Sequence, residues 1–568
     1  MKKTLALLLA LAMMLALFAG CGSSAADEAA SSTTEAAASE AAAPADEAPA
    51  AEEAPAAEAA SAEEAAGEAA PAASINYPLE GNPTFSLTCI GRNNVLAVLG
   101  DDDFSVTPAY QGLAEATGCT IEFNMLGEAT AEEKINIMLA SGDMSDLYTG
   151  LGTAYGNNLP GAIQDGITFD FTPYLEEYAP DYLATLQSDE DLMNGATNAD
   201  GTICKFISVT AKCISKGLVV RQDWMDDLGL ELPTSREELE EILHAFQSEK
   251  GAVWPILVNN GLESGLTGTF NVVYNGMRSM DYQLADPDGD VVTACYASEG
   301  FIEYLVYMHH LYEEGLVTDD FMSVSRENGN WESSYYGGKC GVWSDGYREL
   351  DPANRSNSDD PNYSLTPFTL TDYECHINSS SPVSQDGVLF ITSACENIES
   401  CMMMLNYCYT EDGKLNGLYG QEGVGYTKDA DGTVTLSDGI TNNENGWTVN
   451  SALTYYGGAQ WMPTVVDMEY YELVCAPESY NGMLYWTENG GDGSMVLPSA
   501  VTLDADANEE FNNLASDVLT LFTESAVKVI TGDLDEAGYR AVIEDANNMG
   551  MDRMTELYQE ALDAYRAG

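Results

Sequence analysis

Positive charge is what this chain has least of. Its 568 residues carry 21 Lys and Arg against 92 Asp and Glu, a formal charge of −71. A surface of that sign repels phosphate backbones and anionic headgroups, which excludes nucleic acid as a partner. Histidine is scarcer still. His244, His309, His310 and His376 are the only four, none in an HExxH pattern or at zinc spacing with cysteine, so neither a metallohydrolase nor a bound metal is expected. His309 and His310 fall in FIEYLVYMHHLYEEGLV, whose helical periodicity makes them core and surface positions. No GxSxG elbow, Ser-Lys motif or P-loop is present, and no cofactor is expected. A glycosidase working through two carboxylates is the rival from another class, but with so many acids some pair lies at a suitable distance by chance. β-Sandwich repeats, which an adhesin would show, are absent.

Cysteine is present without a framework. Beyond Cys21 there are eleven, an odd count with no CxxC, set among apolar neighbours as in SLTCIG, AKCIS and NYCYT. They read as small buried hydrophobes rather than disulfide partners.

What is there begins with export. Lys2 and Lys3 precede LALLLALAMMLALFA, an apolar run too short to span a bilayer, which makes residues 1–20 a signal peptide. Phe18, Ala19 and Gly20 stand ahead of Cys21 in a pattern that resembles a bacterial lipobox, with Leu17 one place further out than the usual apolar position. That resemblance implies lipidation of Cys21 and a protein held by its acyl chains on the outer face of the cell membrane. From residue 22 to 74 the chain is Ala, Glu, Ser, Pro, Thr, Asp and Gly, with twelve acids, no cation and no aromatic. It cannot bury a core, and Pro44, Pro49, Pro55 and Pro71 interrupt its helix formers, so residues 21–74 read as an extended tether.

The remainder, residues 75–568, holds 19 basic and 80 acidic residues and is long enough for two or three domains. Strand-like FSLTCIG, helix-like AYQGLAEATG, strand-like CTIEFNML and helix-like TAEEKINIMLASGD follow one another, with Thr130 expected as N-cap and Glu133 completing a capping box. This alternation predicts an α/β fold with mainly parallel sheets, whose ligands lie beyond the carboxyl ends of the strands. DPDGD at 286–290 and KDADGTVTL are expected to be hairpin turns rather than calcium loops.

ASGDMSDLYTG, LVVRQDWMDDLGLELPTSREELEEILHAF, ASEGFIEYLVYMHHLYEEGLV, SSYYGGKCGVWSDGY, GVLFITSACENIESCMMMLNYCYTEDG, YGQEGVGYTKDADGT and the closing helices from Glu509 to Ala567 together resemble the family 1 extracellular solute-binding proteins of ABC importers. In the second of these segments Thr234 is expected to cap the long helix, with Glu237 completing the box. The resemblance implies a two-lobed type II periplasmic-binding-protein-like fold that closes about a hinge. Lobe 1 would take residues 75–218 and 387–457, lobe 2 residues 219–386 and 458–568. Crossings are expected near Gly217 to Val220, Gln385 to Val388 and Tyr455 to Pro463. It also implies no enzyme but a monomeric capture protein that delivers a small solute to ABC permease subunits.

Sugars present apolar C–H faces and hydroxyl rims, so their sites want aromatic plates beside carboxylates, amides and guanidinium groups. GVWSDGYRE, YYGGAQWMPT and NGMLYWTENGGDG supply that mixture. The expected ligand residues are Trp343, Asp345, Arg348, Trp461 and Trp486, joined by Asn259 and Asn260 of WPILVNN and by Asp143. A carbohydrate or oligosaccharide is the expected ligand, with a short peptide as the alternative. Arg221 is expected to pair with Asp223 or Asp226 at least as readily as with a ligand.

Overall fold

Alternation of apolar residues builds the first strand. Phe85, Leu87 and Cys89 are buried on one face, because successive side chains of a strand point to opposite sides. The structure, a computed structural model, describes residues 75–91, 98, 104–127, 130–155, 159–198, 200–258, 265–274, 277, 279–325, 329–377, 381–458, 461–498 and 501–567. Among these the strands are β1 (Thr84–Gly91), β2 (Thr120–Gly127), β3 (Leu147–Tyr148), β4 (Phe206–Val209), β5 (Lys216–Arg221), β6 (Tyr282–Leu284), β7 (Val292–Ala294), β8 (Val342–Gly346), β9 (Leu365–Phe368), β10 (Val383–Ile391), β11 (Tyr426–Lys428) and β12 (Val434–Leu436).

Lobe 1 is a five-stranded sheet in the order β2-β1-β3-β10-β4. β1 runs parallel to β2 and β3, while β10 is antiparallel to β3 and β4. Helices cover both faces, as a parallel sheet requires. Lobe 2 departs from the parallel expectation, since its sheet, β8-β5-β9, is antiparallel throughout. β5 alternates there: Leu218 and Val220 enter a large core with the helices Arg236–Glu249, Glu299–Glu313 and the three C-terminal helices, Ala505–Ile530, Glu536–Asn548 and Met551–Ala567. Val219 enters a second, aromatic core with Trp331, Trp343, Tyr335, Met483 and Trp486.

The chain passes between lobes through residues 210–215 and 369–382, and a third segment around Thr464 lies beside β4. The three are tied by backbone hydrogen bonds. Val209 N–H donates to Thr464 O (2.7 Å), Val466 N–H to Val209 O (2.9 Å) and Thr210 N–H to Pro382 O (2.8 Å). Two expected crossings therefore move. Gly217 to Val220 lie wholly in lobe 2, in register with β8, and Gln385 to Val388 lie in β10 of lobe 1. β10 is bulged between Ser384 and Leu389, and Gly387 sits there at φ +71°. A Cβ on Gly387 would lie 2.5 Å from Met462 O and 2.6 Å from Ser208 Oγ, so only glycine fits where the three segments meet.

Two capping expectations are corrected. Thr130 makes no side-chain cap to the helix Ala131–Ser141, its hydroxyl turning back toward Gly127 O instead. The helix Arg236–Glu249 is capped one residue later than expected: Ser235 Oγ accepts from Glu238 N–H, and Glu238 accepts from Thr234 N–H at 2.7 Å. Both expected hairpins form, β6–β7 around 286–290 and β11–β12 around KDADGTVTL.

Candidate interlobe binding site

The expected residues from lobe 2 come together around Gly217. Its strand partner is Asp345, and the Trp486 indole lies flat against it, so that a Cβ at 217 would sit 2.5 Å from Nε1. Asp345, at the end of β8, accepts from Trp331 Nε1–H (3.2 Å) and from Gly346 N–H (2.8 Å). Trp343 pairs across from Val219, and Tyr335 stacks on its ring at 4.6 Å with 9° between planes.

These contacts revise the plate reading. Trp343 is 0% exposed and Trp486 1%, so both are enclosed by their own lobe and neither presents a free ring face. The reason lies in the secondary structure. Trp343 is on the inward side of a strand, and Trp486 is on the buried face of a helix, Pro477–Asn489, in a segment whose glycines suggest a loop. Their two indole N–H groups are buried without an acceptor among the described residues. Asp345 is equally committed to its lobe, being buried and held by Trp331. Trp331 was not among the expected residues, and no local pattern links it to a carboxylate fourteen positions on.

Trp461 stands on the lobe 1 side. Its Nε1–H donates to Ile90 O (3.2 Å), near the carboxyl end of β1, and its ring packs against Phe104 (4.9 Å) and Phe123 (5.8 Å). That is the edge where ligands of open α/β sheets lie, but Trp461 is also buried. Asp143 is exposed and directly follows Gly142, the C-cap of the helix Ala131–Ser141. It therefore precedes β3 and stands at the strand's entry rather than at its carboxyl end. Neighbouring Asp146 accepts from Ser86 N–H and Oγ–H, both at 2.7 Å, which ties β3 to β1. Asn259, Asn260 and Cys21 lie outside the described residues.

Arg348 is exposed and reaches a small cavity of about 190 Å³ between the lobes, shared with Thr210, Ser384, Asn450, Tyr470 and Tyr471. A larger groove of about 700 Å³ is also walled by both lobes. Asn194, Thr197 and Asn198 line it from lobe 1. Thr502, Asp504, Glu560 and Tyr565 line it from lobe 2. Asn198 Nδ2–H is engaged with Thr202 Oγ1 (3.0 Å), and Asp504 Oδ1 accepts from Ala507 N–H (2.9 Å) as a helix cap. Amides, hydroxyls, carboxylates and one phenol ring thus converge across a gap whose width depends on the angle between lobes. Sequence reading missed this wall, since its two halves lie three hundred residues apart and carry no tryptophan.

The chain matches known proteins along its length. No protein-family profile matches it. A solved structure described as an "HMO binding ABC-transporter associated Solute Binding Protein", from Bifidobacterium longum infantis, superposes with a TM-score of 0.68 at 17% identity, covering 86% of this chain and 99% of that one. This chain has the two-lobed fold of the ABC-transporter solute-binding proteins. Two curated relatives come from Bacillus subtilis. Lipoprotein LipO is 23% identical over 266 residues, 44% of this chain, and the polygalacturonan/rhamnogalacturonan-binding protein YtcQ is 22% identical over 243 residues, 41% of this chain. The chain spans about half the length of these curated relatives, 51% and 46%. As named, YtcQ and the Bifidobacterium protein are binders. No helix among the described residues of this solute-binding fold is long and apolar enough to cross a membrane.

Proposed function

We propose that this chain captures a carbohydrate, most simply an oligosaccharide, between its two lobes and passes it unaltered to the permease subunits of an ABC importer. Cys21, acylated after cleavage at Gly20, holds the monomer on the outer face of the membrane. One observation carries the reading: a groove of about 700 Å³ walled by both lobes and lined by Asn194, Asn198, Asp504, Glu560 and Tyr565. Amide, carboxylate and hydroxyl groups accept and donate to sugar hydroxyls, while the Tyr565 ring offers an apolar face. Closing the lobes on such a ligand exchanges its hydration for these contacts and brings one continuous face to a transporter. The name of YtcQ, a polygalacturonan/rhamnogalacturonan-binding protein, supports a sugar as the ligand class.

The test is a thermal-shift screen of residues 75–568 against pectic and other oligosaccharides, followed by small-angle scattering with the best stabiliser. The radius of gyration falls on binding, the sugar is recovered intact, and Asn194→Ala combined with Tyr565→Ala weakens affinity about tenfold to a hundredfold. Hydrolysed sugar in the mixture, or stabilisation by peptides alone, overturns the proposal.

A further inference from the structure

The small cavity at Arg348 is built unlike the larger groove. Positive charge is scarce in this chain and most of it is already paired: Lys212, Arg221, Lys250, Arg540, Arg553 and Arg566 each hold at least one carboxylate. Arg348 holds none. No Asp or Glu among the described residues lies within ion-pair distance of its guanidinium, whose near neighbour is the Tyr347 ring at 5.5 Å. The wall around it carries no acid either. Among the described residues Thr210, Ser384, Asn450, Thr454, Tyr470 and Tyr471 supply its polar atoms. The larger groove is the reverse, with Asp504 and Glu560 on its wall and no Lys or Arg among the described residues. In a chain of 92 acidic and 21 basic residues, an acid-free wall around an unpaired cation departs from the chain's own composition.

The turn that carries Arg348 is fixed. Its carbonyl accepts from Asp351 N–H (3.2 Å) and from Asn354 Nδ2–H (2.8 Å), and Tyr347 N–H donates to Ser215 O (2.9 Å). The Tyr347 ring meets Tyr471 edge-on at 5.5 Å, and the Tyr471 hydroxyl lies 3.3 Å from Thr210 Oγ1, which sets two hydroxyls on the same wall as the cation.

This arrangement selects a charge on the ligand. A neutral sugar needs only hydrogen-bond partners, and the carboxylates that the chain has in excess supply them. A guanidinium with no acid beside it is matched instead by a carboxylate, held through two parallel N–H···O bonds. The negative surface repels an anion at a distance, but salt screens that repulsion beyond about 10 Å at 0.1 M, so pairing at contact decides. A cavity of about 190 Å³ is smaller than the roughly 300 to 1,000 Å³ of whole small-molecule sites, so it takes one unit of a larger ligand. We propose, resting on the oligosaccharide reading given above, that the ligand is acidic and that the carboxylate of one uronic acid unit binds Arg348 in this cavity. Thr210, Asn450 and Tyr471 meet the hydroxyls of that unit.

The test is calorimetric titration of the folded chain with trigalacturonate and trimannuronate, with the methyl esters of both, which keep the rings and lose the charge, with maltotriose and with the two monomeric uronates. The better acid is expected to bind about tenfold to a hundredfold more tightly than its ester. Arg348→Gln is expected to close that gap, weakening the acid far more than the ester while the unliganded protein melts as before. Arg348→Lys, which keeps the charge without the planar fork, is expected to recover part of the gap. Equal affinity for acid and ester, or equal weakening of both in Arg348→Gln, overturns the proposal. A monomer bound as tightly as its trimer overturns it too, since the carboxylate then need not belong to an oligosaccharide. Binding of maltotriose but of neither acid removes the acidic ligand and leaves the oligosaccharide reading standing, whereas binding of no sugar removes both. Should the variants fail to fold, the comparison of acid with ester on the unsubstituted chain decides.

Discussion

Arg221 forms a forked ion pair with Asp223, Nε–H donating at 2.8 Å and Nη2–H at 2.6 Å, while Nη2 also reaches Asp360 at 2.7 Å. The guanidinium is 1% exposed and lies between the rings of Trp224 (4.5 Å) and Tyr363 (4.7 Å). It fastens the end of β5 to the segment that leads into β9, and its Nε and Nη2 donors are spent within the lobe rather than on a ligand. Removing one partner of such a group strands a buried charge, which costs about 3 to 5 kcal/mol. Arg221→Ala is therefore expected to lose stability of that order in urea denaturation. A loss below about 1 kcal/mol would show that the pair does not hold lobe 2 together.

Acid is expected to loosen lobe 2 at its edge. Asp492 is held down to about 2, first by the Ser494 N–H, then by the Ser494 hydroxyl and by His376, whose Nδ1 lies 3.1 Å away. A carboxyl depressed in the folded state contributes stability that is complete above its unfolded value near 4 and is lost as pH falls toward 2. Melting followed from pH 5 to pH 2 should show a falling midpoint whose slope is shallower in Asp492→Asn. Parallel curves for the two proteins would remove Asp492 from the account.

Trp343→Ala separates a core residue from a ligand plate. With the ring fully enclosed and stacked on Tyr335, the substitution opens a cavity and is expected to cost about 3 to 5 kcal/mol in the unliganded protein. Calorimetric titration of the fraction that remains folded should give nearly unchanged sugar affinity. Unchanged melting with lost binding would put the indole back at the ligand.

Gly387→Ala tests the junction of the crossing segments. The new Cβ meets Met462 O and Ser208 Oγ at a positive φ, a strain of about 1 to 3 kcal/mol. The melting temperature is expected to fall, and the ligand-induced change in scattering to shrink, because three segments must shift to admit one methyl group. Wild-type values for both would mean the junction has slack that its packing distances do not suggest.

Local signals in the sequence were read well where one element decides them. The βαβα opening, the helix bearing His309 and His310 and both hairpins follow from periodicity and turn chemistry, and each is present. Arg221 pairs with Asp223 as its two-residue spacing allowed. The failures are of two kinds, pairings made across long sequence distances and one local helix taken for a loop. The antiparallel sheet of lobe 2 pairs β5 with strands more than a hundred residues away, which no periodicity encodes. Trp486 was read from flanking glycines, yet Pro477 starts a helix that carries it into the core. The groove lined by Asn194 and Tyr565 exists only because α/β lobe 1 and the C-terminal helices meet in space.

The uneven placing of the indoles has an optical consequence. Trp224, Trp254, Trp331, Trp343 and Trp486 all pack in lobe 2, whereas Trp447 and Trp461 belong to lobe 1. Near-ultraviolet emission from the unlabelled protein is therefore chiefly a spectrum of one lobe. Phenylalanine at Trp447 would leave Trp461 as the single emitter on the opposite lobe, beside the end of β1, and the difference between the two spectra would let each half of the molecule be watched on its own.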